Sequence, residues 1–160
     1  MKKSLIAAAL SLSLASAANA ALVFVGSWQV DAGPSWTAVP DAYTGQEAAA
    51  LLFGGTAFDY SISTIDADPD NVDFLAWVST WGGACGGTYP CGTKVAENFE
   101  TSTAGKYQNV GDTSAYVQDW AIGAQYTNYA FRNQVPEPGT LALVGLSLFG
   151  LAAFRRRKVD

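Results

Sequence analysis

Tyr60-Ser61-Ile62-Ser63-Thr64-Ile65 alternates large apolar side chains with small hydroxyl ones. Such alternation belongs to a β-strand, whose successive side chains point to opposite faces, and it predicts a sheet with one wet face. Just upstream, Thr44-Gly45-Gln46-Glu47 is a Thr-x-x-Glu capping box ahead of Ala48 to Phe53, with Gly54-Gly55 as the stop. A helix of about two to three turns does not stand alone in water. Leu51, Leu52 and Phe53 are therefore expected to dock it on the sheet.

Outward from this pair of elements, β-branched and aromatic residues recur between clusters of Gly, Asp, Asn and Pro. The further strand candidates are Leu22 to Val30, Phe74 to Thr80, Glu97 to Thr103, Ala115 to Ile122 and Tyr126 to Arg132. No repeat or linker divides residues 21–134. The expected fold is mainly β, a single antiparallel β-sandwich-like domain with one short helix, with α+β as the alternative.

Both flanks read as addresses. Residues 1–20 carry Lys2 and Lys3, an apolar run from Leu5 to about Ala15, and Ala18-Asn19-Ala20 as a small-x-small cleavage site, the pattern of a secretory signal peptide. At the other end, Val135-Pro136-Glu137-Pro138-Gly139 cannot continue a helix. Residues 140–154 are then all apolar or small, and Arg155, Arg156, Arg157 and Lys158 follow at once. A helix over this run is slightly short of a hydrocarbon core, a gap closed by bilayer thinning and snorkelling arginines. The basic cluster predicts a cytoplasmic C-terminus and an exported domain.

This order of elements resembles the PEP-CTERM sorting tail of Gram-negative bacteria. The resemblance covers Val135 to Lys158. It implies that Pro136, Glu137 and Pro138 are the sorting motif, and that the Arg cluster is the stop-transfer signal. It further implies export through the Sec translocon, transient anchoring in the inner membrane through residues 140–154 with the domain in the periplasm, and processing by the membrane protease-transpeptidase exosortase. The expected destination is the outer surface or an extracellular matrix, in a host that makes exopolysaccharide and biofilm.

Six of the nine basic residues lie in the two flanks, and residues 21–134 keep Lys94, Lys106 and Arg132 against twelve Asp and Glu, a net charge of −9. Such a domain repels phosphate backbones, which argues against nucleic acid and leaves cations and neutral polysaccharides as partners. Cys85 and Cys91, the only cysteines, flank a Gly-rich loop, and in an exported chain they are expected to form a disulfide.

Asp66, Asp68, Asp70 and Asp73 crowd one turn, and their start mimics an EF-hand loop. Asn71 and Trp77 stand where that loop needs Gly and Glu. The alternatives are a solvated acidic turn or a calcium site that borrows ligands from elsewhere, calcium being the one cofactor considered.

Five tryptophans, Trp28, Trp36, Trp77, Trp81 and Trp120, are a heavy load. Each either fills the core or offers a flat face to sugar rings. Trp36 and Trp81 lie among Gly, Pro, Ser and Thr and are the candidates for sugar stacking, as in a carbohydrate-binding module. With no histidine, a Ser-His-Asp or Cys-His system is impossible. The expectation is a protein that is not an enzyme. The alternative, a small secreted hydrolase, would draw a carboxylate pair from Glu47, Glu97 and Glu100.

Overall fold

The computed structural model describes residues 21–83 and 91–134. Six strands appear: β1 (Ala21–Gln29), β2 (Tyr60–Ser63), β3 (Leu75–Thr80), β4 (Thr93–Ala96), β5 (Thr113–Ser114) and β6 (Thr127–Gln134). Among the described residues there is one α-helix, α1 (Gly45–Phe53), upstream of β2, besides short 3-10 turns. The strands form two small sheets ordered β1-β6-β2 and β4-β3-β5, and the mainly β expectation holds. Strand β2 runs antiparallel to β6, with Tyr60 opposite Arg132, and β3 runs antiparallel to both β4 and β5. Leu22–Asn133 form one compact unit.

The capping box forms as read. The Thr44 hydroxyl accepts from the Glu47 amide at 3.1 Å, and the Glu47 carboxylate accepts from the Thr44 amide at 2.9 Å. The docking face of α1 differs from expectation: Ala48 and Ala49 are buried with Ala50 and Phe53 beside them, while Leu51 and Leu52 are exposed. Small residues let the helix backbone approach the sheet closely. The core joins both sheets, packing Tyr60 and Ile62 of β2 and Ala130 of β6 against Ala76 and Val78 of β3, with Trp28 of β1 alongside.

Three further expectations need correction. β2 has no wet face, since Tyr60, Ser61, Ile62 and Ser63 are all buried. Residues 97–103 are not a strand, and the ladder lies just upstream at Thr93–Ala96. Residues 115–122 form no strand, only an isolated parallel bridge from Gln118 to Ser35. Their amides bond instead to irregular segments, Ala115 to the Tyr43 carbonyl at 2.8 Å, Val117 to Val30 at 2.9 Å and Gln118 to Pro34 at 2.9 Å.

Side chains, not strands, satisfy the free side of β2 and the part of β3 that the short β5, paired only with Ser79 and Thr80, does not reach. Along β2, Gln46 Nε2 donates to the Tyr60 carbonyl at 2.8 Å and the Glu97 carboxylate accepts from the Ile62 amide at 2.7 Å. Burial of Glu97 holds its carboxyl above the usual range despite that hydrogen bond. Along β3, the Asn128 amide accepts from the Trp77 N–H at 2.7 Å and donates to the Trp77 carbonyl at 3.0 Å. Buried backbone groups need partners, and here side chains supply what another strand would.

Asp73 serves as a latch between the sheets. It accepts from the Thr64 amide at 2.9 Å and hydroxyl at 2.6 Å and from the Leu75 amide at 3.3 Å, and it lies 3.8 Å from Lys94 Nζ. Burial alone would raise its pKa, but the Thr64 and Leu75 hydrogen bonds and the Lys94 charge hold it below the ordinary 3.8. A depressed carboxylate contributes stability above its unfolded pKa and loses it as pH falls through the lower folded value. Asp73→Asn is therefore expected to flatten the acid limb of a thermal melting profile. At neutral pH it should cost about 1 kcal/mol, a modest figure because the ion pair is part-exposed.

Candidate functional site

The groove is built by two irregular segments pressed against each other. Residues 33–36 run beside 116–118. Gly33 has an extended backbone, and a Cβ there would meet the Tyr116 carbonyl oxygen and the Val117 amide nitrogen at 2.5 Å. That close approach lets the Trp36 amide donate to the Gln118 carbonyl at 3.2 Å, in a parallel bridge between Ser35 and Gln118. The Ser35 hydroxyl caps the short turn that carries Trp36. Trp36 is thereby set beside Asp119 and Trp120.

An open cleft of about 320 Å³ is lined by Ser35, Trp36, Gln118, Asp119, Trp120 and Ile122. It borders a smaller hollow of about 160 Å³, where Trp81 and Gly82 join Trp36, Asp119 and Trp120. Trp36 is 43% exposed and Trp120 56%. The Trp36 and Trp81 rings meet edge to face, with centroids 5.0 Å apart and planes at 81°. Trp81 in turn packs edge to face on Tyr107, at 5.5 Å and 68°. Tyr107 is fully buried with Ala42 and Val117, a second small core against which Trp81 packs.

A carboxylate is fixed into this surface. The Tyr107 hydroxyl donates to Asp119 Oδ2 at 2.7 Å. Burial raises the Asp119 pKa, against the opposing effect of that hydrogen bond. Burial, reinforced by the bond to Asp119, also pushes the phenol of Tyr107 far up, so it remains a proton donor. The groove thus presents aromatic faces, a carboxylate, an amide and a hydroxyl.

Trp36 and Trp81 are brought together, Trp36 as an exposed face and Trp81 as the half-buried wall behind it. Trp120, which lies in the 115–122 strand candidate and not among Gly, Pro, Ser and Thr, also lines the groove. The heavy tryptophan content was the available signal. Trp28 and Trp77 are structural: Trp28 Nε1 donates to the Ala115 carbonyl at 2.9 Å in the core, and Trp77 packs on Tyr126 and under Lys94.

The other candidates do not gather. Asp66 accepts from the Asp68 amide at 2.9 Å and from Asn71 Nδ2 at 3.0 Å, Asp68 accepts from the Asp70 amide at 3.0 Å, and Asp73 is tied to Thr64. Among the described residues no three acidic side chains are grouped as metal ligands. Glu47 caps α1, Glu97 accepts from Ile62 and Gln46, and Glu100 accepts from Ser102, so none of the three lines the groove. Cys91 is buried, its sulfur 3.5 Å from the Tyr126 hydroxyl. Cys85, its expected disulfide partner, lies outside the described residues. So do the signal peptide, the 140–154 helix and the residues of the sorting motif and Arg cluster. Among the described residues no helix is long and apolar enough to cross a membrane.

No curated protein and no solved structure matches the chain. Residues 134–158 match the PEP-CTERM protein-sorting motif, so the groove is carried by a chain bearing the signal of an exported protein that is sorted at the membrane by exosortase.

Proposed function

We propose that the domain binds polysaccharide through the tryptophan groove and that this binding holds it in the exopolysaccharide matrix after export. The observation that carries this reading is the convergence of Trp36, Trp81 and Trp120 with Asp119, Gln118 and Ser35 on one open surface. Sugar rings offer an apolar face to an indole and hydroxyls to polar neighbours, and this groove supplies both kinds of contact. The protein acts as a binding component and not as an enzyme. Export ends at the outer surface or in the biofilm matrix, with a Cys85–Cys91 disulfide stiffening one loop.

Affinity electrophoresis in gels containing the host's exopolysaccharide tests the proposal. Trp36→Ala and Trp120→Ala are each expected to weaken retention about tenfold, the loss of one ring contact of about 1.4 kcal/mol. Phe58→Ala removes a side chain that is 90% exposed and does not line the groove, and it should migrate as the wild type does. Equal retention of all three variants, or a wild type that ignores the polysaccharide, defeats the proposal.

A further inference from the structure

Asp119 is a part-buried carboxylate that lines both hollows. Its neighbours there are indoles, uncharged polar groups, Ile122 and Gly82, with no basic side chain in either set. The three basic residues of the domain are committed elsewhere. Lys94 pairs with Asp73 and sits over the Trp77 ring, Lys106 pairs with Asp41, and Arg132 donates to the Gly54 carbonyl and the Tyr60 hydroxyl. Asp119 therefore has no ion-pair partner among the described residues. Its Oδ2 is held by a neutral phenol.

The rings add to the same preference. Two indoles at 81° make a corner and not one flat platform, and Trp120 borders the same hollow. An indole face attracts a cation through its quadrupole, and the attraction grows where water is partly excluded. A corner of aromatic faces with a carboxylate beside it suits an ammonium group more than a hydroxyl. The surrounding charge of −9 steers cations in and holds uronate polymers off.

We propose that the groove selects a glycan bearing protonated amines, a partly or wholly deacetylated hexosamine polymer, over neutral and acidic glycans, with Asp119 as the specificity residue. The inference rests on the glycan-binding reading and names its ligand class. Calorimetric titration of the exported protein recovered from its host tests it with three probes: a glucosamine hexamer, an N-acetylglucosamine hexamer and a galacturonate oligomer. The pH is set where the glucosamine amines carry protons.

The wild type is expected to bind the glucosamine hexamer roughly tenfold more tightly than the acetylated one, the weight of one ammonium contact, and to ignore galacturonate. Asp119→Asn keeps an oxygen for the Tyr107 hydroxyl, so its near-ultraviolet circular dichroism should be unchanged, and it should bind the two hexosamine probes equally. Trp36→Ala should weaken binding of both about tenfold. Equal binding of the two hexosamine probes by the wild type overturns the amine assignment and leaves the glycan reading standing. An amine preference that survives in Asp119→Asn overturns Asp119 as the specificity residue and, with it, the proposal. Binding of none of the three probes overturns the amine assignment, and the matrix-polysaccharide assay then decides the glycan reading separately.

Discussion

Gly33→Ala is expected to unfold the groove and to cost about 3 kcal/mol, the upper end of what overpacking a close-packed site costs. The added methyl would lie 2.5 Å from the Tyr116 carbonyl oxygen and the Val117 amide nitrogen. Those are backbone atoms, so no rotamer change relieves the clash and the two segments must part. Parting them strains the Val117 amide bond to Val30 and the Gln118 amide bond to Pro34, both 2.9 Å, and the Trp36 bond to Gln118. Trp36 then moves away from Asp119 and Trp120. Urea unfolding should show a lower midpoint with an unchanged slope. Polysaccharide retention should fall at least as far as in Trp36→Ala. A variant with wild-type midpoint and retention would show that the two segments can separate without cost.

Asn128→Ala is expected to be the most destabilising single change, at about 3–5 kcal/mol. Asn128 is fully buried, and its amide satisfies both the N–H and the carbonyl of Trp77. Truncation leaves two backbone groups without partners and opens a void, and each orphaned group costs about 1–3 kcal/mol. Set against a total stability of about 5–15 kcal/mol, that loss is a large share. Asn128→Asp is the sharper comparison because its shape is nearly the same. It keeps the acceptor for the Trp77 N–H but turns a carboxylate oxygen toward the Trp77 carbonyl, so it should also destabilise strongly, and protonation at low pH should partly relieve it. If Asn128→Ala melts within a degree or two of the wild type, water has replaced the amide and the clasp contributes little.

Local features were legible in proportion to how local their causes are. The capping box on α1 needs only Thr44 and Glu47, three residues apart, and it formed as read. β2, β3 and β6 showed in their own composition because β-branched and aromatic side chains suit a pleated surface. The wet face expected for β2 failed for a different reason. Ser61 and Ser63 look like solvent-facing residues in sequence, yet both are buried in the packed domain. Residues 115–122 have the composition of a strand, but their hydrogen-bond partners are the irregular segments around Val30, Pro34 and Tyr43.

The calcium and carboxylate-pair candidates are acidic side chains that the structure ties to local hydrogen-bond partners. Crowded acidic residues look alike in sequence whether they await a ligand or bond to nearby backbone amides. Here Asp66, Asp68 and Asp73 are acceptors for N–H groups of their own turn and its flanking strands, and Glu97 closes the edge of β2.

By itself the sequence determined the class of fold, the acidic character of the domain and the route of the protein, because strand periodicity, charge and a linear sorting motif are properties of contiguous residues. Tertiary structure decided how the groove is assembled. Trp36, Trp81 and Trp120 are far apart along the chain, and they meet because Gly33 lets one backbone press against another and Tyr107 holds Asp119 from beneath. Close approach and burial depend on which segments the whole fold brings together, and no single stretch of sequence carries that information.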